Sequence, residues 1–210
     1  MPTGGGARMK HEISTALYRY WLSRHCATPV RASGIRPAEL APLLPSLFLV
    51  ELNTSDRPLF RVRYCGAAIA TRYGRDLTDE SFLGLWENPD SSLLQRDLRA
   101  LAFRSSGMIA GVLGETLGGG VISYEMLLLP LSGEDGTAGA IGSMVRLGGH
   151  DDANRLRARI VAQSLRSIRF LPMTGSNSLP GYSREAPSVG VAELGMPRRY
   201  GHLTVVSGGK

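Results

Sequence analysis

Cysteine is scarce in this sequence of 210 residues: Cys26 and Cys65 are the only two, and neither has a CxxC partner or a histidine at metal-ligand spacing. Two cysteines are too few for a disulfide scaffold, so we expect a reducing, cytoplasmic setting. Histidine is also sparse, with four residues that share no ligand spacing: His11, His25, His150 and His202. These scarcities predict a protein without a metal site.

Long hydrophobic runs are missing as well. No apolar segment approaches the roughly 20 residues that a helix needs to cross a bilayer. The first twelve residues carry charges with no apolar stretch behind them, which does not match a signal peptide. We therefore expect a protein without a membrane span.

Lysine is nearly absent, so the formal net charge of +6 comes almost entirely from arginine. Between residues 155 and 169 the chain has five arginines and no acidic residue. A basic stripe of this kind can bind nucleic acid or anionic lipid. No nucleic-acid motif and no interleaved aromatic residue accompanies it, which favours the simpler interpretation of a solvated helix face.

Catalytic motifs are lacking. The sequence has no P-loop, no GxSxG and no GxGxxG after a strand, and the segment GETLGGG at 114–120 is typical of a hairpin turn. Glu115 and Glu125 could in principle form a carboxylate pair across this hairpin. Exposed carboxylates on a sheet are far commoner than catalytic pairs. We therefore expect no enzymatic activity.

The N-terminal part of the chain predicts one helix. Residues 1–11 are glycine-rich and polar, which predicts disorder. Residues 12–25 carry apolar side chains at the i, i+3, i+4, i+7 and i+8 positions of an amphipathic helix. These side chains are Ile13, Ala16, Leu17, Tyr20 and Trp21.

Two strands and two helices are predicted next. Apolar runs at 47–52 and 59–65 are separated by turn residues, which is typical of a hairpin. A short apolar helix follows, and we expect Gly66 and Gly74 to let the backbone turn sharply at its two ends. The residues Asn88-Pro89-Asp90 mark the start of a longer helix over 90–105.

Three further strands are predicted from glycine-bounded segments at 107–117, 120–131 and 136–148. Because the gaps between them are short, they indicate an antiparallel meander. Five antiparallel strands, with helices bunched between the second and the third, make an α+β architecture.

The C-terminal part predicts a helix and a tail. In residues 151–171 the apolar side chains lie at helical spacing, which predicts a helical extension. From residue 172 to residue 210, proline, glycine and serine dominate, which predicts a disordered tail.

Four segments occur in order along residues 12–150: LYRYWLS (17–23), LAPLLPSLFLVEL (40–52), FRVRYCGAAIATRYGRDLTDESF (60–82) and YEMLLLPLS (124–132). Together they resemble the PAS domain, and more narrowly the bacterial family of small, stand-alone PAS-like proteins. Ala67 and Asp79 depart from the threonine and glycine that this family often has. The resemblance implies a PAS-like five-stranded antiparallel sheet with short helices on one face, preceded by the amphipathic helix.

The resemblance also implies which cofactors the chain can hold. Haem in PAS domains commonly takes a histidine ligand from the long helix, and residues 90–105 contain no histidine. A flavin photoadduct requires a cysteine in an NCRFLQ-like motif, which this sequence lacks. We therefore expect no cofactor.

In PAS domains the short helices after the second strand form the wall of a cavity against the sheet. In the segment 120–131 one face is wholly apolar, which predicts that it points inward, although a slip of one residue would reverse the assignment. The candidate ligand-binding residues are Tyr64, Ile69, Tyr73, Trp86, Tyr124, Met126 and Met144. The alternative for each of them is ordinary core packing.

The opposite face of the same strand carries Leu127 and Leu129, and such a face must be covered. The helix at 12–25 is the nearest candidate, either from its own chain or swapped from a partner. Because PAS domains commonly pair through such a helix and sheet face, the resemblance implies a homodimer.

The sequence thus favours a non-enzymatic, cytoplasmic PAS sensor or interaction module in signal transduction. It would bind a small apolar or weakly polar ligand, or a protein, and it would act on a separate signalling protein. Two alternatives stay open: a structural adaptor whose core is filled by its own side chains, and a basic-helix binder of nucleic acid or membrane.

Overall fold

The computed structural model describes residues 9–24, 30–52, 60–104, 106–133, 138–148, 159–171, 183–185, 198–200 and 203–205. Within these segments the chain forms three α-helices: α1 (Glu12–Arg24), α2 (Ala67–Tyr73) and α3 (Asp90–Arg104). It also forms nine strands: β1 (Leu47–Leu52), β2 (Phe60–Cys65), β3 (Gly107–Thr116), β4 (Val121–Ser132), β5 (Ala138–Arg146), β6 (Ile160–Leu171), β7 (Ser183–Glu185), β8 (Arg198–Tyr200) and β9 (Leu203–Val205). Short 3-10 turns lie at Ala32–Gly34, Pro37–Leu40, Leu44–Ser46 and Leu83–Leu85.

The main sheet is antiparallel throughout, and its strands lie in the order β2-β1-β5-β4-β3-β6-β7. The five predicted strands are all present and form the contiguous part β2-β1-β5-β4-β3. Strands β8 and β9 pair with each other as a separate hairpin. This arrangement confirms the predicted α+β class.

The central strands explain two of the apolar runs in the sequence. Strands β1 and β4 each have neighbours on both edges, and both of their faces are covered by helices or turns. A strand that is buried on both faces has no reason to alternate apolar with polar residues. Hence LFLVEL in β1 and MLLLPL in β4 are nearly continuous apolar runs.

The C-terminal helix predicted for 151–171 is wrong over 160–171, where the chain forms β6 along the edge of β3. Two register shifts leave Val161 and Arg166 as extra residues in β6. Each extra residue resets the alternation, so the buried positions Ile160, Leu165 and Ile168 acquire a spacing that also fits a helix. Residues 151–158 lie outside the described segments.

This correction removes the basic helix face from the described chain. Arg166 and Arg169 lie on β6, and Arg159 directly precedes that strand. Arg155 and Arg157 lie outside the described residues. The five arginines therefore do not form the single helical stripe on which the nucleic-acid or membrane alternative depended.

The predicted tail over 172–210 contains three of the strands. Strand β7 pairs with β6, and β8 pairs with β9, so these short stretches are not disordered. The other residues of the tail, like residues 1–8 of the predicted N-terminal disorder, lie outside the described segments. Cys26, His25, His150 and His202 lie outside them too.

The sheet separates two apolar cores. On its inner face, α2 and α3 pack against a core that includes Ile122, Tyr124, Met126 and Leu128, as the alternation in β4 predicted. On its outer face a second core includes Leu127 and Leu129. No helix among the described residues is long and apolar enough to cross a membrane.

Helix α1 of the same chain covers the outer face. Leu17 and Trp21 are fully buried in the outer core, and the Trp21 indole Nε1 donates a hydrogen bond to the Pro130 carbonyl oxygen at 2.9 Å. The sequence left open whether this face is covered by the helix of the same chain or by that of a partner. In this structure the helix of the same chain covers it.

Glu125 holds the start of α1 and is not an exposed sheet carboxylate. Its carboxylate oxygens accept hydrogen bonds from the backbone amides of Lys10 at 2.7 Å and His11 at 3.1 Å. These amides lie directly before the first residue of α1, at the positive end of the helix, where a negative charge is stabilising. Glu115 is exposed and lies four residue pairs further along the hairpin, about 13 Å away at the rise of a strand. The two carboxylates therefore do not form a pair.

Candidate functional site

Two glycines position the helical wall above the inner face. A Cβ atom on Gly66 would overlap the carbonyl oxygen of Leu44 and the backbone of Pro45, so only glycine allows β2 to run directly into α2 at this point. Gly74 ends α2 in the left-handed conformation, with φ +67°. Of the two sharp turns predicted, only the one at Gly74 uses a positive φ, because Gly66 serves close packing at φ −67°.

Between this wall and the sheet lies a cavity of about 20 Å³. Its lining is almost entirely apolar. The lining residues come from β1, β2, α2, the turn at 77–86, β4, β5 and β6: Phe48, Val62, Cys65, Ile69, Tyr73, Leu77, Phe82, Leu85, Trp86, Met126, Met144 and Gln163. The volume is small beside the roughly 300–1,000 Å³ of pockets for drug-sized ligands.

The structure brings most of the predicted pocket residues together. The five that line the cavity are Ile69, Tyr73, Trp86, Met126 and Met144. Tyr124 is buried in the same inner core but does not line the cavity. Its ring lies beneath the guanidinium group of Arg72, whose central carbon is 5.3 Å from the ring centroid.

Tyr64 lies on the opposite face of the sheet, which corrects its assignment to the cavity. In the pairing of β1 with β2, Leu49 faces Tyr64 whereas Val50 faces Val62, so Arg63 is an extra residue. This bulge turns Tyr64 to the outer face, where its hydroxyl donates to the Leu44 carbonyl oxygen at 3.2 Å. Strict alternation along FRVRY predicts the other face because it allows no bulge.

The same bulge turns Cys65 toward the cavity, which alternation did not predict. Burial raises the pKa of the Cys65 thiol, so the sulfur stays protonated near neutral pH. The thiol makes a long contact of 3.8 Å with the Gly66 carbonyl oxygen. Cys65 therefore serves as a small apolar part of the wall.

Gln163 is a polar lining residue that the sequence pattern did not predict, because it lies on β6, where the spacing predicted a helix. The Tyr73 hydroxyl donates a hydrogen bond to its Oε1 atom. Burial raises the pKa of the Tyr73 hydroxyl far above its usual value, so the group remains a donor at every physiological pH. A polar pair thus links α2 to β6 across the cavity.

Two side chains that line the cavity each carry a buried donor with no partner among the described residues. The donors are the Trp86 Nε1 and the Gln163 Nε2 groups, on side chains that are only 6% and 5% exposed. A buried donor without an acceptor costs about 1–3 kcal/mol. An acceptor that reached either group would therefore be stabilised in the cavity.

Metal ligation has no basis in the described part of the chain, where no group of three or more histidine, cysteine, aspartate or glutamate side chains is placed to hold an ion. The cavity also does not fit a large cofactor. A flavin or a haem needs several hundred Å³, which is far more than the space between Met126 and Trp86.

Comparison with known proteins supports the architecture. The family model described as a PAS domain matches residues 9–145. The matches among solved structures include a variant of Vivid, with 15% identity, coverage of 67% of this chain and 97% of that one, and a TM-score of 0.41. A fungal LOV domain photoreceptor has 12% identity, coverage of 63% and 91%, and a TM-score of 0.40. The LOV domain of the blue-light photoreceptor Aureochrome1 has 11% identity, coverage of 58% and 94%, and a TM-score of 0.38.

A comparison with curated proteins finds no match. The family match covers more than half of the chain, and with the sheet and the helical wall described above it shows that this protein belongs to the PAS domain family. PAS domains are signal-sensing modules and are typically non-enzymatic.

Proposed function

We propose that this PAS domain is a non-enzymatic sensor and interaction module in signal transduction that binds a small, mostly apolar ligand in the inner cavity. The observation that supports the proposal is the composition of the cavity wall. Side chains of α2 and of the turn before α3 form one side, and side chains of five strands form the other. A ligand between them contacts both parts and changes how they pack.

The cavity chemistry narrows the ligand class. The lining favours an apolar body, and the unpaired donors of Trp86 and Gln163 favour one acceptor oxygen on it. A ligand of more than a few atoms requires the side chains of Met126 and Met144 to move. Methionine suits this because its unbranched side chain has several rotatable bonds.

We expect the signal to pass through two elements, the strand β6 and the helix α1. Gln163 lies on β6, which is also held to the start of α3 by a hydrogen bond from the Leu165 amide to the Asp90 Oδ2 atom at 2.7 Å. On the outer face, α1 rests on β4. Ligand binding would shift the population of β6 and α1 between packed and released states, and a separate signalling protein would respond.

A cytoplasmic location and a homodimer belong to the same proposal. Because α1 buries its apolar face within its own chain, a dimer has no need to use that face. Three exposed apolar side chains offer another surface near the β3–β4 turn: Leu117, Val121 and Val161.

A ligand-free adaptor is the second candidate function, and the cavity volume of about 20 Å³ favours it. In that case the side chains of the inner core fill the space between the helices and the sheet, and the domain acts only through its surface. The two functions differ in whether a molecule accompanies the purified protein.

Native mass spectrometry of the full chain, purified without added ligand, tests the proposal. The informative variant is Leu85→Phe, because Leu85 is half-buried and lines the cavity. The matched control is Leu83→Phe, in the same 3-10 turn and equally half-buried but outside the lining. We expect extra mass that disappears on denaturation in the wild type and in Leu83→Phe, and less of it in Leu85→Phe.

A bare mass for the wild type would contradict the sensor proposal and favour the adaptor. Equal extra mass in both variants would place the bound molecule elsewhere on the protein. The same spectra report monomer or dimer and so test the proposed homodimer directly.

A further inference from the structure

Two arginines lie against one tyrosine at the end of β5. Tyr124 is paired with Arg146 across the β4–β5 ladder, so the two side chains leave the sheet on the same face with their Cβ atoms about 5 Å apart. Arg72, in the last turn of α2, lies over the ring of Tyr124. The strand pairing and the helix thus bring two cations to one aromatic side chain.

Neither arginine has a carboxylate partner among the described residues. The ion pairs found there use other arginines: Arg24, Arg36, Arg61, Arg63, Arg75 and Arg96. Arg72 donates to the Met144 carbonyl oxygen at 2.6 Å, which satisfies one of its five N–H groups. The Nε–H group of Arg146 is buried and has no acceptor within the described part of the chain.

Such an arrangement is unfavourable without a counter-charge. Arginine does not lose its proton at physiological pH, so a partly buried guanidinium group keeps its charge. Burial lowers the pKa of Arg72; the nearby Tyr124 and Tyr73 oppose this effect, and the neighbouring charge of Arg146 adds to it to a smaller extent. An oxyanion would both neutralise the charge and accept the unused N–H groups.

We propose that Arg72 and Arg146 form a binding site for a phosphate group beside Tyr124. Two guanidinium groups match the charge of a phosphate, which is close to −2, better than the single charge of a carboxylate. The site is distinct from the apolar cavity, although Arg72 contacts the backbone of Met144, whose side chain lines that cavity. The net charge of +6 of the chain would raise the local concentration of anions.

Calorimetric titration of the full chain with inorganic phosphate tests the site. We expect Arg146→Gln to weaken binding by about tenfold or more, because the variant loses a charge-assisted hydrogen bond to the anion. Arg75→Gln is the matched control, since Arg75 is three residues from Arg72 and is paired with Glu80 on the surface. It should bind phosphate as the wild type does.

Further arms separate the possible sources of the phosphate. Glycerol phosphate tests a phosphate monoester, and acetate tests a simple carboxylate at the same ionic strength. Tighter binding of glycerol phosphate than of inorganic phosphate would assign the site to a phosphorylated metabolite, and the reverse order would assign it to the free ion. Arg146→Lys keeps the charge but loses the planar fork of N–H donors of the guanidinium group, so it should retain part of the affinity.

The proposal is overturned if the wild type binds no phosphate, or if Arg75→Gln loses as much affinity as Arg146→Gln. Asp151 and Asp152 lie in sequence between β5 and β6, outside the described residues. Phosphate binding that arises only after Asp151→Asn and Asp152→Asn would show that the chain supplies its own anion, which also overturns it. Circular dichroism of each variant confirms that a loss of binding is not a loss of folding.

Discussion

One extra residue in β2 decides which side chains reach the cavity. The bulge at Arg63 removes Tyr64 from the inner face and brings Cys65 onto it. Nothing in the letters FRVRYC signals a bulge, because the residue that is left over has no required identity. The sequence shows which side chains are apolar. It predicts the face of the sheet on which a side chain lies only where the alternation is undisturbed, as in β4.

Burial of Tyr73 makes stability depend on alkaline pH. Because the pKa of its hydroxyl is raised above the value of about 10 in the unfolded chain, its stabilising contribution is complete below pH 10. That contribution is lost as the pH rises above 10 toward the folded-state pKa. We expect Tyr73→Phe to lower the slope of the unfolding free energy between pH 10 and 11 by up to about 1.4 kcal/mol per pH unit.

Urea unfolding at several pH values provides this measurement. Some slope should remain in the variant, because burial also raises the pKa values of Tyr18 and Tyr124. An identical slope in the wild type and in Tyr73→Phe would show that Tyr73 is not buried as described.

Leu127 offers a test of the outer core. Its side chain is 0% exposed beneath α1, so Leu127→Ala should lower the free energy of unfolding by about 2–5 kcal/mol. Val121→Ala is a control on the same face of β4, where the side chain is 61% exposed and the change should be within about 0.5 kcal/mol. Chemical denaturation measures both, and similar losses would contradict the placement of α1.

The join between β2 and α2 depends on a close approach of two backbones. In Gly66→Ala the new methyl group meets the backbone of Leu44 and Pro45, which cannot move aside as a flexible side chain would. We expect a loss of about 1–3 kcal/mol in unfolding free energy, as for an overpacked core. Gly34→Ala is the control, because nothing lies within 4 Å of its added carbon, and a comparable loss there would refute this explanation.

The start of α1 is held by a side chain from the sheet. Replacing the charged acceptor in Glu125→Gln should weaken two amide hydrogen bonds at a cost of about 1 kcal/mol or more. Hydrogen exchange of the first turn of α1 should become faster, whereas Glu115→Gln on the same hairpin should leave it unchanged. Unaltered exchange in Glu125→Gln would show that α1 is held by its apolar face alone.

Strand β6 is an element that the local sequence pattern does not predict correctly. Its apolar spacing fits a helix because two bulges each insert a residue, and only the free edge of β3 decides in favour of a strand. A pairing partner that lies about fifty residues earlier in the chain leaves no local trace in the sequence. Gln163 was missed for this reason, and with it the polar link to Tyr73.

At the scale of the molecule, the predicted order of elements and the resemblance to PAS domains are sufficient to predict the fold class. Local patterns specify α1, the hairpin of β1 and β2, and the meander from β3 to β5, because these contacts join neighbours in sequence or follow one period. Five of the seven residues predicted to bind a ligand line the cavity. Its volume depends on how side chains fill the space, which no pattern of letters records.

The proposed sensor function requires that the inner cavity bind a ligand. A high-resolution crystal structure of the full chain, purified without added ligand, tests this most directly. We expect electron density for an organic molecule between Met126 and Trp86, with an acceptor atom within hydrogen-bond distance of Trp86 Nε1 or Gln163 Nε2. An empty cavity, or a single water molecule bound to the two donors, would contradict the sensor proposal and leave the adaptor.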